Sequence, residues 1–254
     1  VSTRNKLIIY GKNPVKEVLS KSSLKVEELL ISEEAKKQRV SGIIKLAKER
    51  GIKVSFLPPQ ALSRISQSSA HQGIAVKIAD FEYQEVEEIL NNAKKKGEKL
   101  LIVILDHIED PQNLGAIIRT VNVLGADGII IPKNRAASVT PAVGKASAGA
   151  TSFVPIARIV NLVTAMKELK KKGVWILGAE QSAPKPVFEE DLNKLDLAVV
   201  IGNEGRGLGR LVREECDFLV SIPNLGEVSS LNASVSAGIM IYEIVRQRRS
   251  VHDV

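Results

Sequence analysis

From residue 100 onward, short apolar runs alternate with helical patterns, and this alternation limits the fold more than any other feature. The runs lie at 100–105, 128–131, 152–156, 174–178, 197–201 and 217–222, and the helical patterns at 111–124, 138–147, 161–172, 208–215 and 231–248. Runs such as Leu100–Leu105 and Leu197–Ile201 carry no polar alternation, so both faces of each strand must be covered. That predicts a mostly parallel sheet clothed by helices, an α/β fold. None of the runs is long enough to span a bilayer, so no membrane partner is expected. Open α/β sheets bind ligands at the carboxyl ends of their strands, which directs attention to the loops after these runs.

The first 79 residues read as a separate small α/β module. Strands are predicted at Leu7–Tyr10, Val26–Ile31, Val54–Leu57 and Gly73–Ile78. A short helix opens at Asn13-Pro14 and runs to Leu19. A second helix, over 37–50, places Val40, Ile43, Ile44 and Ala47 at i, i+3, i+4 and i+7. Pro58-Pro59 breaks the third strand, and His71-Gln72-Gly73 reads as a turn before the fourth. Residues 80–99 are acidic first and lysine-rich last, an order that suits a helix. They form the connector and first helix of a second domain, giving domains at 1–79 and 80–254.

Charge separates the two. Residues 1–79 hold 15 Lys/Arg against 6 Asp/Glu, whereas residues 101–254 hold 17 of each. The overall +7 therefore arises in the first third of the chain. Such asymmetry suggests a nucleic-acid-binding appendage beside a neutral core; the plainer alternative is a well-solvated surface. Few aromatics accompany the basic residues, so contact through phosphates and shape is favoured over base stacking. The one cysteine, Cys216, excludes an intrachain disulfide and fits a cytoplasmic location. No signal peptide is expected, because no apolar run follows the basic start. His71, His107 and His252 have no ligand spacing, so no metal is expected.

Three segments after apolar runs carry the chemistry. Asp106–Thr120 reads D-H-I-E-D-P-Q-N-L-G-A-I-I-R-T, Val199–Gly209 reads V-V-I-G-N-E-G-R-G-L-G, and Ile222–Gly238 reads I-P-N-L-G-E-V-S-S-L-N-A-S-V-S-A-G. The glycines at 202, 205, 207 and 209 give neither G-x-G-x-x-G nor a phosphate-binding P-loop, which weighs against a dinucleotide-binding oxidoreductase. Taken singly, the last segment also reads as a capped helix after a loop, with Ser230 or Asn232 as N-cap, the second as a bare Gly-rich turn, and Asn113 and Arg119 of the first as a helix-start hydrogen-bonding residue and a surface charge. In order, however, N-L-G-x-x-x-R, I-G-N-E-G-x-G and I-P-x-x-G-x-V-x-S-L-N-x-S resemble the three motifs of the SpoU/TrmH branch of the SPOUT RNA methyltransferases, most closely its members acting on large-subunit (23S) rRNA.

That resemblance implies S-adenosylmethionine-dependent methylation of a ribose 2′-oxygen, with a 23S rRNA guanosine as target. A tRNA 2′-O-methyltransferase and a non-catalytic RNA-binding protein remain as alternatives. It also implies a deep trefoil knot in the C-terminal domain, a ribosomal-protein-type RNA-binding fold in the N-terminal one, and a homodimer built on the last helix. It gives Arg119 a catalytic role, Asn113 a supporting one, and functional positions to Glu204, Ser230 and Asn232. Gly202, Ile222 and Leu231 are carried over as cofactor contacts, with Gly178 and Ala179 on the adenosine side. Asn113 and Arg119 stand six apart, nearly two helical turns, so spacing alone does not put them in one patch. Apolar residues surround much of the last helix, which fits burial in one core or against a partner.

Overall fold

The computed structural model describes residues 8–21, 26–35, 37–66, 68–78, 81–228 and 230–250. Leu7, Ser229, His252 and the boundary expected at 79–80 lie outside them. The chain divides into two compact units, Val1–Glu82 and Tyr83–Val254.

The first unit runs β1 (Ile8–Tyr10), α1 (Lys12–Lys21), β2 (Val26–Ser32), α2 (Lys37–Glu49), β3 (Lys53–Leu57), α3 (Pro59–Ser66) and β4 (Ile74–Ile78). Its sheet order is β1-β4-β2-β3, with β4 antiparallel to both neighbours and β2–β3 parallel. Val15, Leu19, Leu29, Val40, Ala47, Ile74 and Val76 form its main core, so the face predicted for α2 is the buried one. α3 is not among the expected helices, because the Pro pair reads as a break. The pair also starts a helix: Pro59 sits in the first turn, and the Pro58 carbonyl accepts from Ala61 and Leu62. Leu62 then packs with Leu30 and Ala75 in a second, smaller core. His71 is buried in the turn before β4. Its Nδ1 accepts from Gly73 N at 3.0 Å, so its proton sits on Nε2, 2.9 Å from Ser63 Oγ.

The second unit opens with α4 (Val86–Lys96), closed by a Glu85/Glu88 capping box and by Gly97 in a left-handed C-cap. There follow β5 (Leu101–Leu105), α5 (Pro111–Leu124), β6 (Gly128–Pro132), α6 (Pro141–Ala146), β7 (Ile156–Ile159), α7 (Leu162–Lys171), β8 (Trp175–Ala179), β9 (Leu197–Ile201), α8 (Arg210–Glu214), β10 (Phe218–Val220) and α9 (Ala233–Ser250). All six strands are parallel, in the order β10-β8-β9-β5-β6-β7. From β5 the chain builds outward through β6 and β7. It then crosses to the other half for β8, β9 and β10. The loops after β5 and β9 therefore diverge from adjacent strands, which opens a crevice at the sheet's carboxyl edge.

Two expected strands are displaced. The run at 152–156 contains Pro155, which has no N–H for a ladder, so the strand begins only after it. Ahead of it Ala150–Ser152 forms a 3₁₀ turn, and the Pro155 carbonyl accepts from Ile129 N at 3.0 Å. The run at 217–222 pairs with β8 only over Phe218–Val220. Ser221 instead exchanges backbone bonds with the loop after β8, donating to Lys185 O and accepting from Val187 N, both at 2.9 Å.

Helix packing brings the motif segments together. Gly115, in N-L-G-x-x-x-R, lets α5 meet α6 closely: a Cβ there would lie 2.4 Å from Ala146 Cβ. α9 buries Ala233, Ala237, Met240, Ile241 and Ile244, and packs on α5 and β9. Its far end is clamped by Arg248, whose guanidinium donates to Lys99 O, Leu100 O and Leu195 O at 2.8–2.9 Å. Gln247 adds bonds to Leu192 N and Glu190 O.

Candidate active site

The loops after β8, β9 and β10 enclose a cleft of about 530 Å³ in the second unit. That volume is within the range of small-molecule sites. Ala179, Ile201, Gly202, Ile222 and Leu231 supply an apolar and backbone lining, and Glu180, Asn203, Asn224, Glu227 and Ser230 a polar one. Gly178 does not line the cleft. A Cβ at Gly178 would lie 2.8 Å from both Cys216 Sγ and Leu219 Cδ2, so this glycine lets β8 pack beneath the cleft.

Each loop is shaped by its own bonds. A Cβ at Gly202 would fall 2.4 Å from the carbonyl carbon of Gly207, so the 202–208 loop closes directly over this glycine. Asn203 and Gly207 exchange backbone bonds, and Gly207 takes the left-handed φ of 65° that the closure requires. In the loop after β10, Asn224 Oδ1 accepts from Gly226 N at 3.0 Å, an Asx turn that reverses the chain towards Ser230.

Three residues named from separate motifs meet at one junction. Asn113 Nδ2 donates to Glu204 Oε1 at 2.8 Å, and Asn232 Nδ2 donates to Asn113 Oδ1 at 2.9 Å. Asn232 Nδ2 and the Ala233 N–H also reach Glu204 Oε1, at 2.5 and 3.0 Å. One carboxylate oxygen thus gathers the α5 start, the β9 loop and the α9 start. Asn232 is the N-cap of α9 as well, its Oδ1 accepting from Ser234 N at 2.9 Å. Ser230 is exposed on the cleft wall. Arg119 is exposed on α5 and makes none of the junction's hydrogen bonds. Arg206, to which the motifs give no role, also lines the cleft.

A second tie between the loops had no sequence signal beyond an acid at a strand end. Asp106 is 2% exposed. Its Oδ2 accepts from Gly209 N at 2.7 Å and its Oδ1 from His107 Nδ1 at 2.5 Å. Asn203 Nδ2 donates to His107 O at 3.0 Å. Asp106 and Asn203 therefore fasten the β9 loop to the β5 loop, on which α5 and Asn113 begin. Among the described residues no group of His, Cys, Asp and Glu could hold a metal ion, and no helix is long and apolar enough to cross a membrane.

Known proteins resemble this chain in sequence and in fold. Residues 100–242 match the SpoU rRNA methylase family, and residues 8–84 match the RNA 2′-O ribose methyltransferase substrate-binding family. The chain belongs to the SpoU methylase family. It is an RNA methyltransferase. This SpoU methylase is 43% identical to YacO of Bacillus subtilis, named as a TrmH-family tRNA/rRNA methyltransferase, over 96% of each chain. Among solved structures, the SpoU methyltransferase AviRb of Streptomyces viridochromogenes with AdoMet aligns at TM-score 0.68 and 26% identity, covering 97% of this chain and 92% of that one. An AdoMet-bound rRNA methyltransferase from Sinorhizobium meliloti aligns at 0.65 and 25%, covering 97% and 88%. The family's methyl donor is S-adenosylmethionine.

Proposed function

We propose that this enzyme methylates the ribose 2′-oxygen of a guanosine in 23S rRNA, the RlmB type of reaction, in the cytoplasm. The observation that carries the reading is the Asn113–Glu204–Asn232 junction, which ties α5 and α9 to the wall of a cleft shaped for a small ligand. Ala179, Gly202, Ile222 and Leu231 would hold S-adenosylmethionine there, with Gly178 allowing the floor to pack. Bound there, the cofactor supplies a methyl group already made electrophilic by its sulfonium.

The protein's task is positioning and charge. Holding a hydroxyl in line can account for much of the rate of such a transfer. Asn113, fixed by two side-chain partners, sets the start of α5. Arg119, two turns on, binds the substrate phosphate and stabilises the 2′-oxygen as it loses its proton. A guanidinium does not give up its own proton in proteins, so Arg119 is not the base. Glu204 has three N–H donors on Oε1, which suits a positioning role, and the 2′-proton passes to water. Ser230, on the cleft wall, contacts the substrate.

The active form is a homodimer. In support, α9 presents Val235, Ile239 and Tyr242 at i, i+4 and i+7, exposed by 47, 37 and 58% on the side away from its buried face. We also read the C-terminal segment as knotted, in keeping with the bonds of Ser221 to the β8 loop and the return of α9 to the sheet centre. The function is tested by incubating the enzyme with labelled S-adenosylmethionine and separated 23S rRNA and tRNA, then digesting to nucleosides. The expected product is 2′-O-methylguanosine from 23S rRNA. Label in tRNA alone would overturn the rRNA assignment, and label on a base would overturn ribose methylation.

A further inference from the structure

The second unit is neutral in net charge, yet its cations are unevenly used. On α7, at its C-cap and on α8, Lys167, Lys170, Lys171, Lys172, Arg210 and Arg213 are all in ion pairs. The loop after β6 differs. Lys133 and Arg135 are exposed there, and among the described residues neither is in an ion pair. The exposed acids Glu109 and Asp110 follow Ile108, whose carbonyl accepts from Ala137 N of this loop, and Asp110 is engaged in capping α5.

This loop is held rigidly. Lys133 N donates to Ile159 O at 2.7 Å, and Arg158 Nη2 donates to Lys133 O at 3.0 Å. Ala137 N donates to Ile108 O at 2.8 Å, and Val139 N to the Tyr83 hydroxyl at 2.9 Å. The Arg158 guanidinium in turn lies 5.4 Å from the centre of the Tyr83 ring. Within this frame Arg135 has φ 53°, the left-handed region that a long side chain rarely adopts. Glycine or asparagine would fill the turn with less strain. Arginine there is costly to the fold and offers a solvent-facing cation on a fixed backbone in exchange.

Its place on the sheet gives the cation a use. β6 is two strands from β9 in the order β9-β5-β6. At about 4.8 Å per strand, the end of β6 stands roughly 10 Å along the carboxyl edge from the end of β9, whose loop is the nearest of the three that form the cleft. We propose that Lys133 and Arg135 form a second RNA anchor, holding backbone phosphates of the strand that flanks the target nucleotide. Two cations on a held loop at that distance would set where the target ribose falls relative to the cleft. The inference rests on the reading of the substrate as structured RNA.

The test uses the full chain and its own 23S rRNA transcript, with binding measured across a salt series. Transfer by the wild-type enzyme to this transcript and to tRNA is measured first, and the binding series is run on whichever RNA is methylated, so an error in the rRNA reading is detected separately. Lys133→Ala/Arg135→Ala should lower affinity at least tenfold near 0.1 M salt and flatten the log–log salt slope by about 1.5, the share of two bound phosphates. S-adenosylmethionine affinity should not change. Lys94→Ala/Lys95→Ala removes the same charge from the end of α4 and should leave the slope as it was. Arg135→Gly separates anchoring from loop structure: it relieves the backbone, so the melting temperature should hold or rise while RNA binding weakens. Unchanged RNA affinity and slope in both loop variants, or an equal loss in the α4 control, would overturn the anchor.

Discussion

Arg119 is the residue on which the proposed chemistry most depends. It is exposed, two turns beyond Asn113, and takes no part in the junction that fixes α5. Its contribution should therefore be made in the transition state, as charge grows on the 2′-oxygen. Arg119→Ala is expected to keep S-adenosylmethionine affinity and to lower single-turnover transfer by about 10² or more. Arg119→Lys keeps the charge and loses the fork, so partial rescue would favour simple charge stabilisation and no rescue would favour bidentate geometry. Near wild-type turnover in Arg119→Ala would leave it a surface arginine. Cys216 sits under Gly178, where burial, aided by the neighbouring Asp217 carboxylate, pushes its thiol up from 9.0 to about 12. Thiolate is the reactive form, so the native enzyme should react far more slowly with a thiol reagent at pH 8 than the urea-unfolded chain does. A raised thiol pKa also means that the folded state retains a proton the unfolded chain loses. Stability from this group is full below pH 9 and falls as pH rises from 9 towards 12. Equal labelling rates of native and unfolded protein would show that Cys216 is accessible.

At the scale of elements, α9 links the site to the opposite end of the sheet. Its N-cap is Asn232 in the junction, and its last turn is pinned by Arg248 to three carbonyls. Burial pulls the Arg248 guanidinium below its usual range, while Asp127 and Asp196 act the other way. Arg248→Ala should cost about 2–3 kcal/mol, the scale of losing hydrogen bonds made by a charged group. Arg248→Met retains much of the packing, so a similar fall in the urea midpoint for both variants would assign the loss to the bonds. No fall in either would remove the clamp from the account of α9. Strands are legible in the sequence where apolar runs are unbroken: Leu101–Leu105 and Leu197–Ile201 lie where 100–105 and 197–201 are expected. Legibility fails where proline has two meanings. Pro58-Pro59 ends a strand and begins α3, and Pro155 delays β7. The site is legible as three separate segments, and Asn113, Glu204 and Asn232 are each named through the family resemblance. Their bonds to one another are not, since they link residues 91 and 119 apart and depend on how α5 and α9 pack. Asp106 escapes notice for the same reason, because its partner Gly209 is 103 residues away.

On the scale of the whole molecule, the chain separates two tasks. Residues 1–79 carry the basic excess, and their unit has its own core; residues from Tyr83 onward contain the cleft and a second core. A truncated chain of residues 80–254 should therefore fold and bind S-adenosylmethionine as the full chain does. It retains Tyr83, whose hydroxyl accepts from Val139 N and whose ring faces Arg158, so the loop after β6 stays supported. RNA affinity should fall steeply, because all of the net positive charge has gone. The salt dependence should flatten too, by about 0.7–0.9 in slope for each phosphate no longer neutralised. The slope should not vanish. What remains belongs to the second unit, and adding Lys133→Ala/Arg135→Ala to the truncated chain should reduce it again. Fluorescence anisotropy over a salt series measures all four proteins, with and without each change. Equal affinity and equal slope for the full and truncated chains would show that the basic unit is no RNA anchor. A truncated chain whose slope is already zero would place every bound phosphate on the first unit and leave none for the loop after β6.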